Sequence, residues 1–205
     1  RVGASVTFGV YGMPALAARF AARFPHIRLE VTVDTTDEVE KRLLENELDA
    51  AIVAGVVRSR FIALTPLFTE QHVALCAPGH PMAGRSVTLA QFMAQPLVLR
   101  QRGSGAFQLF SAAVAQAGYT PRPAWQCASV QAILAAVGLG LGVTVLPRQV
   151  AAAALDAGQL AVIRVQGLDV HSTVCLAVHK SKFLSPALGH FMDMARALAQ
   201  PQTEE

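Results

Sequence analysis

The stretch VQAILAAVGLGLGVTVLP, from Val130 to Pro147, decides how the rest of this chain is organised. It is the most apolar run in the sequence, eighteen residues with no charged side chain and one amide, Gln131. Residues 132–137 favour a helix that is apolar on every side, glycines then stop it, and residues 142–146 favour a buried strand. Such a helix is typical of the centre of an α/β layer. The run therefore predicts core, with any chemistry at its edges.

Two other interpretations of this stretch are weaker. Eighteen apolar residues could span a bilayer, but Gly138, Gly140 and Gly142 fall at alternate positions and would weaken an isolated helix. Neither flank carries the basic cluster of a membrane anchor. A dinucleotide-binding loop needs a strand, then glycines, then a helix, whereas here the helix former comes first. We therefore expect no membrane contact and no nucleotide loop.

The composition is that of a globular α/β protein. The 205 residues allow one large domain or two small lobes. Hydrophobic residues make up 53% and charged residues 15%, which argues against disorder and fibres. The formal charge is +3, but lysines and arginines are scattered and aromatic residues are only 6%. This segment by itself is therefore not expected to bind DNA or single-stranded nucleic acid.

The cysteines and the start of the chain indicate its setting. Cys76, Cys127 and Cys175 are an odd number in apolar contexts, which suits buried thiols in a reducing compartment better than a disulfide framework. The chain begins at Arg1 and forms a strand at once, without a signal peptide or a start methionine. We therefore expect a cytoplasmic location and a fragment of a longer protein.

The order of elements predicts two Rossmann-like lobes. The first fifty-odd residues alternate strand and helix, as in parallel crossovers, and a second such series runs from residue 97 to 165. Extended segments at 62–77 and 168–179 join the two series, and a last helix follows Ser185. We predict lobe I at 1–74 plus 175–205, with a frayed tail, and lobe II at 75–174. Ligands of open α/β sheets bind where strands end and helices begin.

Hydroxyl residues stand at four strand-to-helix junctions, where unpaired N–H groups attract anions. Ordinary helix capping explains any single junction, but not their recurrence in both lobes. Arginines flank one junction, in RQRGSG. Together these residues predict a cleft for a small carboxylate, sulfate or phosphate. They are Ser5 and Thr7, Thr35 and Thr36, Ser104, Ser129, and the arginines Arg100 and Arg102.

Catalytic and metal-binding patterns are weak. The six histidines are dispersed, and neither Cys-x-x-Cys nor His-Glu-x-x-His occurs. Cys76 and Cys127 end apolar runs, where inert buried thiols are the usual case. Asp34, Asp37 and Glu38 stand near a helix start, where capping explains them. We expect no metal, no cofactor and no enzyme activity.

Five segments, in order along nearly the whole chain, resemble the effector-binding domain of LysR-type transcriptional regulators. The resemblance implies a bilobal fold like that of type II periplasmic binding proteins. It also implies a winged helix-turn-helix before the domain, so that DNA binding belongs to the longer protein only. The segments are SVT before a helix that ends in FPHI, ENELDAAIV (45–53), PGHPMA (78–83), RQRGSG (100–105) and AAVGLGLGVTVLP (135–147).

The resemblance also implies a site for a small co-inducer between the lobes. Some members continue the Gly-Ser-Gly segment with Thr-Arg; this chain has Ala106-Phe107, so Arg100 or Arg102 would replace that arginine. The implied effector-binding residues are Ser5, Val6, Thr7, Thr35, Thr36, Arg100, Arg102, Gly103, Ser104, Ser129, Val130 and Gln131.

Assembly follows from the same resemblance. Members form homodimers, and tetramers at full length, by packing the first helix against a helix of the partner's second lobe; residues 12–24 and 104–117 would be those helices. The rival interpretation is an extracytoplasmic solute-binding protein of a transporter, which has the same fold. A third is an enzyme on this fold, which would need a reactive group such as Cys127. The regulator domain is our leading hypothesis.

Overall fold

The computed structural model describes residues 1–199, which form two compact units. The first unit contains Arg1–Thr69 and the residues from Thr173 onward, and the second contains Glu70–Ser172. These boundaries lie five and two residues before the expected ones. Residues 200–205, which include the tail expected to fray, lie outside the described part.

The first unit is an α/β layer in which polar strand ends are followed directly by helices. Its elements are β1 (Val2–Ser5), α1 (Val6–Tyr11), α2 (Met13–Arg23), β2 (Val31–Asp34), α3 (Thr36–Leu44), β3 (Ala50–Ala54) and the start of β4 (Ile62–Cys76).

Strand β1 pairs in parallel with β2 on one side and β3 on the other. Every residue of β3 is buried, as expected for a short apolar run covered on both faces. One core cluster packs Phe8 and Phe20 against Phe191 from the end of the chain. The predicted strand-helix alternation of this unit is therefore present, with β1 at the centre of three parallel strands.

The start of the chain differs from the expectation in one respect. The first helix was expected at residues 12–24, but the strand ends at Ser5 and a short helix, α1, already begins at Val6. Ser5 is held by a hydrogen bond from the backbone N–H of Ala54 on β3. This contact between strands fixes the end of β1. The sequence does not show this end, because the β-branched residues Val6 and Thr7 favour a strand.

The second unit begins within β4, and the chain returns to the first unit within a second long strand. Its elements are β5 (Ser86–Val87), α4 (Leu89–Met93), β6 (Leu97–Arg100), α5 (Gly105–Ala115), β7 (Pro123–Cys127), α6 (Val130–Gly138), β8 (Thr144–Pro147), α7 (Arg148–Asp156) and β9 (Ala161–Val165). The return strand is β10 (His171–His179), followed in the first unit by α8 (Pro186–Arg196) and a 3-10 turn (Ala197–Ala199).

Two groups of strands build the second unit. The second half of β4 pairs antiparallel with β8 and β9, and β5 is parallel to β9. Strands β6 and β7 form a separate parallel pair. In the first unit β10 runs antiparallel to β3. The prediction of two extended crossover segments is thus confirmed by β4 and β10.

The apolar stretch gives the predicted helix and buried strand, with one correction. All four residues of β8 are buried, but α6 is buried on one face only: Ala135 is exposed, and Leu139 beyond its end is 81% exposed. Gly142 has φ +151°, and a Cβ there would lie 2.2 Å from the carbonyl oxygen of Pro96. Among residues 1–199, no helix has both the length and the apolar character needed to cross a membrane.

Candidate functional site

Two strand-helix junctions lie side by side in the second unit. The parallel pair β6–β7 ends with Arg100 opposite Cys127. Each strand is followed by a helix, α5 with Ser104 as its N-cap and α6 with Ser129. Because the carboxyl ends of parallel strands meet at one edge, both helix N-termini start from the same place. Their partial positive charges make this edge a candidate anion site.

Arg100 places a buried cation at this edge. Only 2% of it is exposed, and among residues 1–199 nothing hydrogen-bonds to its Nε or Nη1. Burial lowers the pKa of the guanidinium, and the nearby Cys127 opposes that shift. A buried charge without a partner costs on the order of several kcal/mol. An anion with two oxygens would offset this cost, because it can accept from both N–H groups at once.

The serine hydroxyls at this edge act as helix caps. Ser104 Oγ accepts from Phe107 N at 3.2 Å, and Ser129 Oγ accepts from Ala132 N at 3.2 Å. Ser104 is buried, whereas Ser129 is exposed. In each serine, one lone pair of the hydroxyl oxygen accepts the capping hydrogen bond. The hydroxyl hydrogen of each serine remains able to donate to a ligand.

The other residues of this group differ in placement. Arg102 is exposed. Gly103 has φ +84°, a left-handed conformation that lets the chain turn from β6 into α5. Val130 is buried in the core of the unit, and Gln131 is exposed on the first turn of α6. Of the two arginines, Arg100 is the one that lies at the strand ends without a hydrogen-bond partner on Nε and Nη1.

Cys127 was not among the predicted effector-binding residues. It was expected to be an inert buried thiol, but it is only half-buried and its Sγ accepts a hydrogen bond from Ser129 N at 3.3 Å. The available signal was position: Cys127 is the last residue of β7 just as Arg100 is the last residue of β6. The register that places them side by side cannot be predicted from the sequence of either strand alone.

The hydroxyls of the first unit are used to hold its own strand ends. Ser5 Oγ accepts from Ala54 N at 3.0 Å, and Thr36 Oγ1 donates to Ala54 O at 3.1 Å. Both hydroxyls are buried, so together they satisfy the last residue of β3. The recurrence of hydroxyls at these junctions therefore has a structural explanation in this unit.

The remaining predicted residues of the first unit flank those contacts. Thr35 caps α3 by accepting from Glu38 N at 3.3 Å, which is the expected half of a capping box. Val6 begins α1, and Thr7 is buried one residue further on. Whether these residues contact an effector stays a prediction.

Metal and acid–base chemistry find little support in the described part of the chain. Among residues 1–199, no three His, Cys, Asp or Glu side chains are grouped so as to hold a metal ion. The buried carboxylate of Glu40 accepts from the backbone N–H groups of Arg58 and Ser59, which fixes a loop. Among residues 1–199, the edge formed by β6 and β7 is the place where a buried cation, Arg100, has unpartnered N–H groups that a ligand could use.

Comparison with known proteins identifies the family. The sequence profile of the LysR substrate binding domain matches residues 1–200. The chain belongs to this family. A curated relative, the HTH-type transcriptional regulator YeiE of Escherichia coli (strain K12), is 32% identical over 193 residues, 94% of this chain. The chain spans 66% of the length of YeiE.

Solved structures show the same fold as this LysR domain. The regulatory domain of CcmR from Synechocystis PCC6803, in complex with 2-PG, has a TM-score of 0.90 and 21% identity and covers 98% of this chain and 97% of its own. The effector-binding domain of QuiR, in complex with shikimate, has a TM-score of 0.85 and 20% identity over 98% and 96%. The predicted family and fold class are confirmed.

The comparisons also decide between the classes of function. The LysR domain is an effector-binding part of a transcriptional regulator, and relatives such as YeiE are regulators rather than enzymes. The prediction that the chain is not an enzyme is thereby confirmed. The solute-binding protein of a transporter, which shares the fold, is set aside by the family membership.

Proposed function

We propose that this LysR domain senses a small anionic effector whose charged group binds Arg100 at the ends of β6 and β7. The observation that carries the proposal is the buried guanidinium, with Nε and Nη1 unpartnered among residues 1–199. The N-termini of α5 and α6 start beside it and add N–H donors. A carboxylate, sulfate or phosphate would satisfy these donors together, which an uncharged ligand would do less well.

From the family resemblance, we also propose that the effector binds between the two units. Its second side would contact the junction residues of the first unit, Ser5, Val6, Thr7, Thr35 and Thr36. Such a ligand changes transcription only if its affinity differs between two arrangements of the domain. Because these hydroxyls would contact the effector, loss of one of them should weaken the affinity for the anion.

The domain would act within a longer, dimeric and cytoplasmic protein. DNA contact would be made by an N-terminal winged helix-turn-helix, with two or four copies assembled. Edge strands with exposed apolar residues support association: Val31 and Val33 on β2, and Trp125 on β7. Helices α2 and α5 correspond to the helices that the family resemblance assigns to dimer contact. These assignments remain proposals for the longer protein.

The test measures stabilisation of the chain by anions at constant ionic strength. Sulfate, phosphate and small carboxylates are screened by thermal unfolding, first with the unsubstituted chain. An anion at a hundred times its dissociation constant should raise the free energy of unfolding by about 2.7 kcal/mol. Arg100→Met should abolish this gain, because the two free donors are removed while an apolar stem remains.

Arg122→Met is the matched control, since Arg122 is exposed and lies before the opposite end of β7. This variant should keep the full anion-dependent gain. A general salting effect would persist in both variants, because excluded anions stabilise any compact chain. An equal response of the unsubstituted chain and Arg100→Met would therefore reject Arg100 as the binding group.

A further inference from the structure

The three cysteines of the chain have different surroundings. Cys76 and Cys175 are buried, and burial raises the pKa of both thiols, that of Cys76 to about 11. Their S–H groups donate to backbone carbonyls, Ala161 O at 3.7 Å and Thr173 O at 3.8 Å. Cys127 is half-buried, and the next two residues are exposed. Of the three, Cys127 is the thiol that a small solute can reach.

The sulfur of Cys127 accepts a hydrogen bond, whereas the other two donate. Ser129 N–H points to Cys127 Sγ at 3.3 Å, and α6 begins with the following residue. Backbone donors and a helix N-terminus stabilise negative charge on a sulfur or on an oxygen attached to it. The surroundings of this sulfur therefore suit an anion.

Arg100 provides an independent observation at the same place. Its Cα is the register partner of Cys127 in the parallel pair, and directly paired residues point to the same face, on strands about 4.8 Å apart. Its Nε and Nη1 are buried and unpartnered among residues 1–199. The charge of Cys127 acts to raise the pKa of Arg100, against the larger effect of burial. A donor without an acceptor thus lies beside an oxidisable sulfur.

We propose that Cys127 is a site of reversible oxidation by hydroperoxides, and that the oxygen added to its sulfur accepts from Nε–H and Nη1–H of Arg100. The thiolate attacks the nearer peroxide oxygen, an S–O bond forms, and the O–O bond breaks. The hydroxide that leaves takes the proton from the oxygen on sulfur, so that Cys–S⁻ and H₂O₂ give Cys–SO⁻ and H₂O. Sulfur loses two electrons to the peroxide. Two thiols, oxidised to a disulfide, restore the cysteine and release water.

This inference rests on the proposed function in one point: both assign the donors of Arg100 to an anion. An oxidised Cys127 would occupy the donors that the anionic effector needs. Oxidation and effector binding at this edge would then exclude each other, and the domain would respond to oxidant as well as to effector.

The first test compares the native chain with the same chain unfolded in urea. Both are treated with H₂O₂ at neutral pH in the presence of dimedone, which traps sulfenic acid, and peptide mass spectrometry gives a rate for each cysteine. Cys127 should be labelled about tenfold faster in the native chain, because the N–H groups of Arg100 stabilise the negative oxygen that forms on its sulfur. Cys76 and Cys175 should be labelled more slowly in the native chain. A native rate for Cys127 no higher than the unfolded rate overturns the proposal, since simple exposure gives that result.

The second test removes the cation. Arg100→Gln should lower the labelling rate of native Cys127 about tenfold, and Arg122→Gln, before the other end of β7, should leave it unchanged. An unchanged rate in Arg100→Gln overturns the role of Arg100. If circular dichroism shows that Arg100→Gln does not fold, the comparison of native and unfolded unsubstituted chain decides alone.

The two proposals fail separately. Slow labelling of Cys127 together with sulfate stabilisation that depends on Arg100 rejects the oxidation site and leaves the effector site. Rapid labelling that depends on Arg100, without stabilisation by any anion, rejects the anionic effector and leaves the oxidation site.

Discussion

The two units differ in how they treat their buried polar groups. In the first unit the buried hydroxyls of Ser5 and Thr36 both bond to Ala54 and complete its hydrogen bonding. In the second unit several buried polar atoms have no hydrogen-bond partner among residues 1–199. They are His72 Nδ1, Arg100 Nε and Nη1, Ser111 Oγ and Thr144 Oγ1.

Under the proposed function, this difference separates a unit that keeps polar groups for a ligand from a unit that uses them for its own stability. An unsatisfied buried donor or acceptor costs about 1–3 kcal/mol, and a charge costs more. Such a cost is expected where function requires it, because a ligand can recover it on binding. We therefore expect the removal of a buried hydroxyl to act with opposite signs in the two units.

The largest effect should come from acid. Burial, and to a smaller extent His171, lowers the pKa of His72 to about 4, while its Nε2 lies 3.0 Å from Ser172 Oγ. This pKa is below the unfolded value of 6.5. The contribution of His72 to the free energy of unfolding is therefore fully present above pH 6.5 and is lost as the pH falls from 6.5 through 4. The total loss should be on the order of 3 kcal/mol. Urea unfolding at several pH values measures it.

His72→Gln should flatten this part of the pH profile, since the unfolded chain then binds no proton at that position. The neutral side chain keeps a polar group beside Ser172. An undiminished loss of stability between pH 6.5 and 4 in His72→Gln would assign the effect to other groups and remove His72 from the comparison.

Ser5→Ala should cost about 2 kcal/mol, because the buried N–H of Ala54 loses its acceptor. Ser185→Ala, which removes the cap that accepts from Leu188 N in α8, is the control and should cost about 1 kcal/mol. Chemical unfolding measures both. Calorimetric titration of folded Ser5→Ala with the stabilising anion shows, in addition, whether Ser5 contacts the effector. Unchanged affinity of Ser5→Ala for the anion would show that Ser5 does not contact the effector and serves only to accept from Ala54 N.

The smallest effect comes from the same type of substitution, threonine to valine, made once in each unit. Thr36→Val removes a hydroxyl that donates to Ala54 O and should lower the free energy of unfolding by about 1 kcal/mol. Thr144→Val removes a fully buried hydroxyl whose oxygen is unpartnered among residues 1–199, and should raise it by about 1 kcal/mol. Equal signs for the two changes would break the contrast between the units.

Much of the fold could be predicted from the sequence. Strand β6 begins at residue 97 and strand β10 ends at residue 179, where the second series and the last extended segment were expected to begin and end. Apolar runs and strict alternation are strong local signals. The exposure of one face of α6 could not be predicted, since an all-apolar helix does not reveal which side is covered. Cys127 was assigned to the core for a similar reason: its neighbours Trp125 and Gln126 are exposed, although the segment is strand-like.

The candidate site was predicted in part. Capping hydroxyls at Thr35, Ser104 and Ser129 follow from local sequence, because the hydrogen bonds span only three residues. The sequence pattern did not distinguish Arg100 from Arg102 as the anion-binding residue, since both arginines lie next to the same turn. Burial separates them, and burial depends on what packs around β6.

The sequence by itself determined most of the order of strands and helices, though not the short helix α1, together with the hydroxyls at helix starts and the resemblance to the LysR family. These are properties of one element or of short motifs, and periodicity reports them directly. The tertiary structure alone decided which polar groups are satisfied. Ser5 and Thr36 bond to Ala54 across 49 and 18 residues of chain, and the register of β6 with β7 places Arg100 beside Cys127. Hydrogen bonding between distant residues depends on the space between packed elements, which the pattern of a single element does not contain.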